Sequence, residues 1–305
     1  MTDDPKVQEI EPVALAVFTR HRDLLFTVAY EITGSVADAE DVVQETYLRW
    51  AASADEGTDV RHPRAYLVQI ATRQALNRLR SRSRQREEYV GPWLPEPLVT
   101  APDIADDVLL AESVSMAMML VVESLTPDER AVFVLHEVFG FPHDEIADAI
   151  GKTPAAVRQI NHRARSHVQS RRPRFSRDDA VVGRAAERFM LAASTGDVQG
   201  LMDVLAPDVV LLSDGGGKVS AGLRPILGAD KVARLLAGLT NKLADDNLTA
   251  EYAVINGRPG ALVYLAGRLD TVITIDIEDG IVSRVYMVRN PDKISGAANP
   301  QSLRR

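Results

Sequence analysis

Length, composition and charge limit the number of domains, the available chemistry and the cellular location of this protein. A chain of 305 residues, 46% of them apolar, is long enough for about two domains, since single hydrophobic cores rarely exceed about 250 to 300 residues. The absence of cysteine excludes disulfides, thiolate metal sites and thiol nucleophiles, and it suits a reducing cytoplasm. No apolar run reaches the roughly 18 residues of a membrane span, and the amino terminus lacks a basic, apolar leader. We therefore expect a cytoplasmic protein with no membrane partner.

The net charge of −8 hides two basic segments. Residues 61–86 and residues 152–177 each contain eight Lys or Arg residues and no carboxylate. Such segments on an acidic background are typical of two surfaces that meet phosphate, although two solvated helix faces would have the same composition.

The amino-terminal part of the chain, residues 13–80, has helical periodicity. The apolar spacing of its first helix stops at Gly34, and Ser35 begins the Ser-x-x-Asp pattern that starts a second helix. We expect this second helix to end near Trp50. A polar loop, residues 51–62, then precedes a third helix.

A proline-rich segment separates two helical regions. Residues 81–108 contain four prolines and few periodic apolar residues, which predicts a stiff, extended linker. Helical periodicity resumes at about residue 109 and continues to about residue 170. Within it, Thr126 is followed by a proline and, three residues on, by Glu129, which predicts a capped helix that continues through RAVFVLHEVFG.

Residues 144–168 have the pattern of a helix-turn-helix. DEIADAI, the turn GKT and PAAVRQINHRARSHV predict two helices joined by a tight turn, with Thr153 capping the second. The apolar residues of the second helix share one face, which leaves polar donors outward, as in a recognition helix that enters a major groove. An ordinary helical hairpin with a basic exposed face is the alternative. The outward residues are Arg158, Gln159, His162, Arg163 and Arg165.

The last third of the chain predicts an α+β domain. One amphipathic helix, a turn at Gly196-Asp197, a second helix and a turn at Pro207-Asp208 lead into a strand. Short β-rich runs follow, with Asp279-Gly280 as a hairpin turn.

The stretch LLSDGGGKVS, residues 211–220, is the most conspicuous local pattern. It lacks the spacing of a Walker phosphate loop and of a dinucleotide fingerprint. Consecutive glycines at the end of a strand predict a turn with positive φ angles and close backbone approach. Asp214 and Lys218 are then expected to project toward a neighbour, although an ordinary surface loop is the simpler interpretation.

Two further motifs resemble a known family. ADAEDVVQETYLRW, residues 37–50, together with PRAYLVQIATRQALNRLRSRSR, residues 63–84, resembles region 2 of bacterial extracytoplasmic-function (ECF) sigma factors. Residues 125–165 resemble their region 4. The resemblance implies two all-α sigma domains, a region 2 helical bundle and a region 4 helix-turn-helix. Core RNA polymerase, through the clamp of its largest subunit and its flap, and promoter DNA are the implied partners.

The resemblance also implies roles for individual residues. In the DAEDVVQE helix it places a polymerase-binding surface, with Tyr47 and Trp50 as aromatic anchors. The helix of residues 63–84 and the preceding loop would engage the −10 promoter element, and the region 4 helix would bind the −35 element. The polymerase-binding residues are Asp41, Gln44, Glu45, Tyr47 and Trp50; those for the −10 element are Arg61, Arg64, Arg73, Asn77, Arg80 and Arg84; those for the −35 element are Thr153, Arg158, Gln159, His162, Arg163 and Arg165.

Three short motifs resemble a subgroup of these factors with a carboxy-terminal SnoaL-like extension of the NTF2-like fold. They are GPWLPEP in the linker, DGGGK and NPDKI. The resemblance implies that the extension folds back on the linker and regulates the factor, and the flanking prolines would let Trp93 dock at low entropic cost. The implied contact residues are Trp93, Leu94, Pro95, Asp214, Gly215, Gly216, Gly217, Lys218, Asn290, Pro291, Asp292 and Lys293.

These observations predict a promoter-selecting sigma factor, not an enzyme, without cofactor, metal or catalytic residues. The alternative is an NTF2-like enzyme or ligand-sensing domain fused to a DNA-binding region, with an unidentified small ligand in its pocket. Residues 178–305 contain neither His nor Cys, so a general base there would be a carboxylate such as Asp214 or Asp270. The expected domains are region 2 at 10–85, the linker at 86–108, region 4 at 109–172, the extension at 178–295 and a flexible tail at 296–305.

Overall fold

The computed structural model describes residues 5–55, 60–101, 107–173, 178–243, 246–297 and 300–305. The chain forms two compact units. The first unit contains residues 1–84, 121–171 and 302–305, and the second contains residues 85–120 and 172–301. Within the described ranges, no helix combines the length and the apolar character needed to cross a membrane.

The regular elements that the structure describes in the first unit are helices, and their ends follow local capping chemistry. The first helix ends before Gly34, whose φ of 71° is left-handed, and the second begins where the Ser35 hydroxyl accepts a hydrogen bond from the Asp38 amide at 3.1 Å. Both boundaries confirm the sequence prediction. The helices that begin in this unit are α1 (Pro5–Thr33), α2 (Val36–Asp55), α3 (Pro63–Glu87), α6 (Pro127–Phe133), α7 (His143–Ile150) and α8 (Pro154–Gln169).

Two helices continue beyond their predicted ends. Helix α2 reaches Asp55 and not Trp50, and α3 continues to Glu87, into the segment predicted as extended linker. The reason is that SRSRQRE, residues 81–87, has no proline or glycine and consists mostly of residues that tolerate or favour helix.

The helix-turn-helix of residues 143–169 is confirmed. Gly151 adopts the left-handed conformation after α7 with φ of 68°, and the Thr153 hydroxyl caps α8 by accepting from the Ala156 amide. The predicted capping box at Thr126 and Glu129 is also present. The helix that follows it changes to a π-helix over Val134–Val138, which sequence periodicity did not indicate.

The second unit is α+β, as predicted. Its described residues form a six-stranded sheet of order β2-β1-β6-β5-β4-β3, with β1 parallel to β6 and the other neighbours antiparallel. The elements are α4 (Val108–Ser113), α5 (Met116–Glu123), α9 (Asp179–Thr195), α10 (Val198–Met202), β1 (Leu205–Asp214), β2 (Ile226–Leu227), α11 (Ala229–Lys242), β3 (Leu248–Ile255), β4 (Arg258–Leu265), β5 (Arg268–Glu278), β6 (Ile281–Val288) and α12 (Pro291–Ile294).

Each face of this sheet covers a separate core. Helices α9, α10 and α11 pack on one face around buried residues such as Phe189, Leu201 and Leu236. On the opposite face, linker residues and α5 pack against the sheet. That second cluster contains Leu94, Val99, Met116, Ala117, Ile255, Leu262, Val272, Tyr286, Val288, Ile294 and Ala297.

Two predicted turns had different outcomes. Asp279 and Gly280 have φ angles of 51° and 81° and join β5 to β6, which confirms the hairpin. Pro207-Asp208 is not a turn: both residues lie within β1, where the pairing with β6 is irregular between Leu205 and Val210. An irregularity in the ladder accommodates the proline, which cannot donate a ladder hydrogen bond.

A buried carboxyl in β5 predicts a pH-dependent stability. Asp276 is 1% exposed and accepts a hydrogen bond from the Tyr286 hydroxyl at 2.7 Å. Burial raises its pKa from 3.8 to about 6, although the Tyr286 hydrogen bond and Arg258 oppose the increase. Because the raised pKa favours the protonated form of the folded protein, this stabilisation is complete below pH 3.8 and is lost as the pH rises to about 6.

We therefore expect Asp276→Asn to stabilise the second unit relative to the native chain by an amount that grows between about pH 4 and pH 6 and then stays constant. Asparagine keeps an acceptor for Tyr286 and carries no charge. Thermal unfolding of both proteins from pH 4 to pH 8 measures this difference. A difference in melting temperature that does not vary with pH would contradict the assignment.

Candidate functional site

The DGGGK motif and the linker meet in a buried polar cluster of the second unit, which we call the linker clamp: Tyr89, Leu94, Asp214, Asn290 and Lys293. Asp214, at the end of β1, has no exposed surface. Its carboxylate accepts hydrogen bonds from the Tyr89 hydroxyl at 2.6 Å, the Leu94 amide at 2.8 Å and Lys293 Nζ at 2.8 Å. The carboxylate of the motif therefore holds the linker at two points.

Lys293 neutralises that carboxylate and adds contacts of its own. Its side chain is 8% exposed, and Nζ also donates to the Leu94 carbonyl at 2.6 Å. The ammonium lies 4.7 Å from the centre of the Tyr89 ring and 4.2 Å from that of the Trp93 ring. Cation–π contacts of this kind are strongest where water is excluded. Burial and the neighbouring Asp214 raise the pKa of the Tyr89 hydroxyl, so it remains a donor at neutral pH.

The apolar anchor of the linker differs from the expected one. Trp93 was expected to dock in a pocket, but it is only partly buried and lies over Lys293. Leu94, the next residue, has no exposed surface and belongs to the core between the linker and the sheet. The indole supplies a ring face to a cation, for which one side of the ring is sufficient, and the compact leucine fills the apolar space.

The glycines of DGGGK are required by close contacts. Gly216 and Gly217 have φ angles of 59° and 70°, which confirms the predicted turn. A Cβ on Gly216 would overlap the Asn290 side chain, and one on Gly217 would lie 3.1 Å from Val90 in the linker. Asn290 donates from Nδ2 to the Tyr89 hydroxyl at 2.8 Å, and its amide donates to the Asp214 carbonyl at 3.0 Å. The loop thus lets two backbones approach each other.

A second contact between linker and sheet was missed by the sequence analysis. Asn256, fully buried and with φ of 52°, accepts from the Leu98 amide at 3.0 Å and donates to the Val114 carbonyl at 2.9 Å. A Cβ on the next residue, Gly257, would lie 2.8 Å from the Ala111 carbonyl oxygen. In the sequence, an Asn-Gly pair between two strands indicates only a hairpin turn. Nothing in the pattern showed that its side chain would hold the linker.

Lys218 makes a much weaker contribution. It pairs with Asp292, the residue after Pro291, and the two side chains are 55% and 62% exposed. Exposed pairs contribute about 0 to 1 kcal/mol. We therefore expect Lys218→Ala to leave linker protection and promoter-directed transcription within about two-fold of the native values, corresponding to less than 1 kcal/mol. Comparison of run-off yields at equal protein concentration checks this, and an effect as large as that of changing Asp214 would contradict it.

The polymerase-binding residues predicted on α2 border a groove in the first unit. The groove has a volume of about 530 Å³ and lies along α1 and α2, with Asp41, Gln44 and Tyr47 among its walls. Tyr47 packs edge-on against Phe18 with ring centres 5.0 Å apart, so it helps to form the base of the groove. Leu15 on α1 is 48% exposed beside it. The groove offers apolar surface between polar walls.

Two residues of the same prediction lie elsewhere. Trp50 is buried, at 7% exposure, and its indole nitrogen donates to the Ala14 carbonyl at 2.8 Å. This corrects the expectation of an exposed aromatic anchor: Trp50 joins α2 to α1 within the core. Glu45 forms an ion pair with Arg49 at 2.8 Å and does not line the groove.

The basic face of α3 contacts region 4 residues of the same unit. Arg73 donates to the carbonyls of Asp148 and Ala149 at 2.7 and 3.2 Å, at the carboxyl end of α7. A cation at that end of a helix is favourable, because the last carbonyls lack helical partners. Arg80 pairs with Asp128 at 2.8 Å.

Other contacts extend this arrangement. Lys152 also pairs with Asp128, at 3.0 Å. Partial burial would raise the pKa of Asp128, but its hydrogen bonds to Lys152 and Arg80 outweigh that effect and hold the pKa below its ordinary value. The Arg64 guanidinium lies 4.5 Å from the centre of the Phe141 ring. Arg61 and Asn77 are exposed, and the side chain of Arg84 lies outside the described residues.

The outward face of α8 is as the sequence predicts. Val157, Ile160, Ala164 and Val168 are buried. The predicted −35 residues are exposed, with Arg163 and Arg165 at 3.5 and 3.9 Å from glutamates of the same unit. The exposed set is Thr153, Arg158, Gln159, His162, Arg163 and Arg165.

A helical pair with an apolar groove, a basic helix and an exposed helix-turn-helix define a DNA-binding transcription factor, and the comparisons specify its family. Residues 17–85 match Sigma-70 region 2, and residues 115–168 match Sigma-70 region 4. The chain is 38% identical over 294 residues to the ECF RNA polymerase sigma factor SigJ of Mycobacterium tuberculosis strain H37Rv, covering 92% of this chain and 93% of that protein.

Two further comparisons agree. The probable ECF RNA polymerase sigma factor SigI of the same species is 31% identical over 93% of this chain and 95% of its own length. The crystal structure of M. tuberculosis SigJ superposes with a TM-score of 0.73 at 36% identity, covering 93% of this chain and 99% of that one. The chain belongs to the ECF RNA polymerase sigma factors and has a carboxy-terminal extension. As such it is an initiation factor that binds core RNA polymerase and directs transcription from promoter DNA.

Proposed function

We propose that this sigma factor is regulated by its own second unit, through the linker clamp. The observation that carries the proposal is the buried carboxylate of Asp214, which receives hydrogen bonds from the side chain of Tyr89 and the backbone of Leu94. A surface spacer needs no such contacts. A fully buried carboxylate costs several kcal/mol of desolvation unless it is paired and hydrogen-bonded, and here those partners come from the linker and from Lys293.

The linker clamp can affect promoter binding because the segment that it holds joins region 2 to region 4. Residues 86–114 connect the matched region 2 to the matched region 4, and those of them that the structure describes belong to the second unit. While the clamp holds them, the span of the linker is fixed. Once released, an extended segment of 14 residues, from 88 to 101, reaches up to about 45 to 50 Å. Release therefore lets region 2 and region 4 separate far enough to engage two promoter elements.

The contacts of α3 support a restrained free state. In that state region 4 contacts Arg73 and Arg80, which we assign to the −10 element together with Arg61, Arg64, Asn77 and Arg84. Promoter phosphates and region 4 carbonyls compete for the same guanidinium groups. Engagement of the −10 element therefore requires region 4 to move away from α3.

The remaining surfaces are assigned in the same way. The groove on α1 and α2, which Gln44 and Tyr47 help to line, would receive the clamp of the largest polymerase subunit. The exposed face of α8 would bind the −35 duplex, and region 4 would contact the polymerase flap. The factor would act in the cytoplasm.

Run-off transcription with core polymerase and the cognate promoter tests the proposal. Leu94→Ala removes the buried anchor of the linker, and Leu109→Ala, at a side chain that is 51% exposed on α4, is its matched control. We expect the first variant to raise transcription several-fold at limiting sigma factor and the second to resemble the native chain. Equal transcription by all three proteins, with all three folded, would refute regulation through the linker.

A further inference from the structure

A cavity in the second unit lies apart from the linker clamp. It has a volume of about 290 Å³, is partly open to solvent, and lies between α9, α11 and the face of the sheet opposite the linker. Its walls are largely apolar. Small-molecule sites in proteins begin at about 300 Å³ and combine an apolar lining with a few polar groups. The apolar lining includes Met190, Leu236, Leu239, Ile273 and Met287.

The interior polar groups of this cavity show which ligand it accepts. Asp270 Oδ2 accepts hydrogen bonds from the Thr271 hydroxyl at 2.6 Å and from Arg289 Nε and Nη2 at 3.2 and 3.0 Å, whereas Oδ1 accepts one, from Arg289 Nη2 at 3.1 Å. The hydroxyls of Ser194 and Thr240 donate to the Leu191 and Ala193 carbonyls. These donors are therefore committed to protein acceptors, whereas each carboxylate oxygen has about two lone-pair sites, so Oδ1 of Asp270 can accept one further hydrogen bond. A ligand at this end must bring its own donor.

The charge of the lining excludes an anion. Asp270 and Arg289 neutralise each other, and the Arg289 guanidinium also donates to the Ser220 carbonyl at 2.7 Å. Glu251, at the rim, adds a negative charge. A carboxylate ligand would meet net negative charge, because Arg289, the cation in the lining, is already paired with Asp270.

Arg289 also connects the cavity to the linker clamp. Its amide donates to the Asp214 carbonyl at 2.7 Å, at one end of the glycine loop, and its side chain contacts Ser220 at the other end. Asn290, a member of the clamp, is the next residue. A ligand that donates to Asp270 weakens the ion pair between Asp270 and Arg289. Arg289 contacts both ends of the glycine loop, so a shift of its side chain changes the position of the loop.

We propose that the cavity binds a neutral, mostly apolar molecule with one hydroxyl group, an alcohol or a phenol, whose hydroxyl donates to Asp270. Occupancy alters the linker clamp through Arg289, a step that rests on the proposed function. Arg289 acts here as a positioning residue between the two sites.

Binding is tested with three matched probes on the full-length chain: 2-naphthol, 2-methoxynaphthalene, which lacks the donor, and 2-naphthoate, which is anionic. We expect 2-naphthol to bind with a dissociation constant of about 0.1 to 1 mM, given about eleven non-hydrogen atoms. The other two should bind at least about ten-fold more weakly, the value of one lost hydrogen bond to a charged group. No binding of 2-naphthol below about 3 mM, or equal binding of all three probes, would overturn the proposal.

A cavity-filling variant locates the binding. Ala261 is 4% exposed and lines the cavity, so Ala261→Leu should abolish 2-naphthol binding. Ala180→Leu, at an exposed position on α9, makes the same change away from the cavity and should bind as the native chain does. Undiminished binding by a folded Ala261→Leu protein would refute this location, and if that protein does not fold, the three-probe comparison on the native chain still decides.

Hydrogen exchange at the linker tests the coupling separately. Saturating 2-naphthol should change the exchange rate of the Leu94 amide at least about three-fold in the native chain, and should leave the rate unchanged in Ala261→Leu. Binding without a change in exchange would refute the coupling through Arg289, while the effect of Leu94→Ala on transcription would stand. Binding together with an ineffective Leu94→Ala would refute the proposed function and leave the ligand site.

Discussion

Replacement of Asp214 by asparagine is expected to release the linker and to raise promoter-directed transcription several-fold at limiting sigma factor. The substitution keeps the shape of the side chain but removes the charge that compensates Lys293, which is 8% exposed. Breaking a buried ion pair by removing one partner costs about 3 to 5 kcal/mol. The substitution therefore weakens the binding of the linker to the sheet, while the apolar cluster around Leu94 and the Asn256 contacts remain.

Two other variants serve as comparisons for Asp214→Asn, one as a matched control and one that removes part of the same contact. Asp208→Asn makes the same change at an exposed position of the same strand, and it should leave transcription unchanged. Tyr89→Phe removes the hydroxyl that donates to Asp214 and accepts from Asn290, so its effect on transcription should lie between those of Asp208→Asn and Asp214→Asn, with about 0.5 to 1.5 kcal/mol lost per hydrogen bond. Run-off assays at a fixed core polymerase concentration compare all four proteins. Lower transcription by Asp214→Asn, with the linker released, would contradict a restraining role.

Replacement of Gln44 by lysine is expected to weaken core polymerase binding about 10- to 100-fold, as for a residue near the centre of an interface. Gln44 is exposed on the wall of the groove, between the apolar base formed by Phe18 and Tyr47 and the polar rim. A lysine there adds a cation that docking would desolvate without a partner. Because the side chain is exposed, the fold of region 2 should be unaffected.

The control for Gln44→Lys is a charge change far along the chain. Glu187→Lys alters the charge by two units at an exposed position of α9 in the second unit. Binding of fluorescently labelled core polymerase should be unchanged by it. If both variants bind alike, the groove is not the docking surface, and the assignment of Asp41, Gln44 and Tyr47 falls with it.

Local chemistry made much of the first unit predictable. The start of α2 at Ser35, the capping box at Thr126 and the turn at Gly151 depend on hydrogen bonds within a few residues, which the sequence contains in full. The inward face of α8 follows from 3.6-residue periodicity. The α2 residues that line the groove, and the linker-clamp residues other than Tyr89, were predicted from the family resemblance, which periodicity alone could not supply.

The predictions that were wrong depend on contacts between residues that are far apart in the sequence. Whether Trp50 packs against α1 or faces outward depends on the position of another helix, and whether Trp93 or Leu94 enters the core depends on Lys293, about 200 residues away. The contacts of Arg73 and Arg80 with region 4 are equally non-local. A basic helix face appears identical in the sequence whether it meets phosphate or the carboxyl end of a helix.

The central claim, that the second unit holds the linker through Asp214, is tested most directly by hydrogen–deuterium exchange resolved to single amides. In the native chain the Leu94 and Leu98 amides should both be protected, because each donates to a buried side chain. In Asp214→Asn, exchange at Leu94 should accelerate at least about ten-fold, while Leu98 stays protected by Asn256. Leu94 exchanging at the rate of exposed backbone in the native chain, or as slowly in Asp214→Asn as in the native chain, would contradict the account.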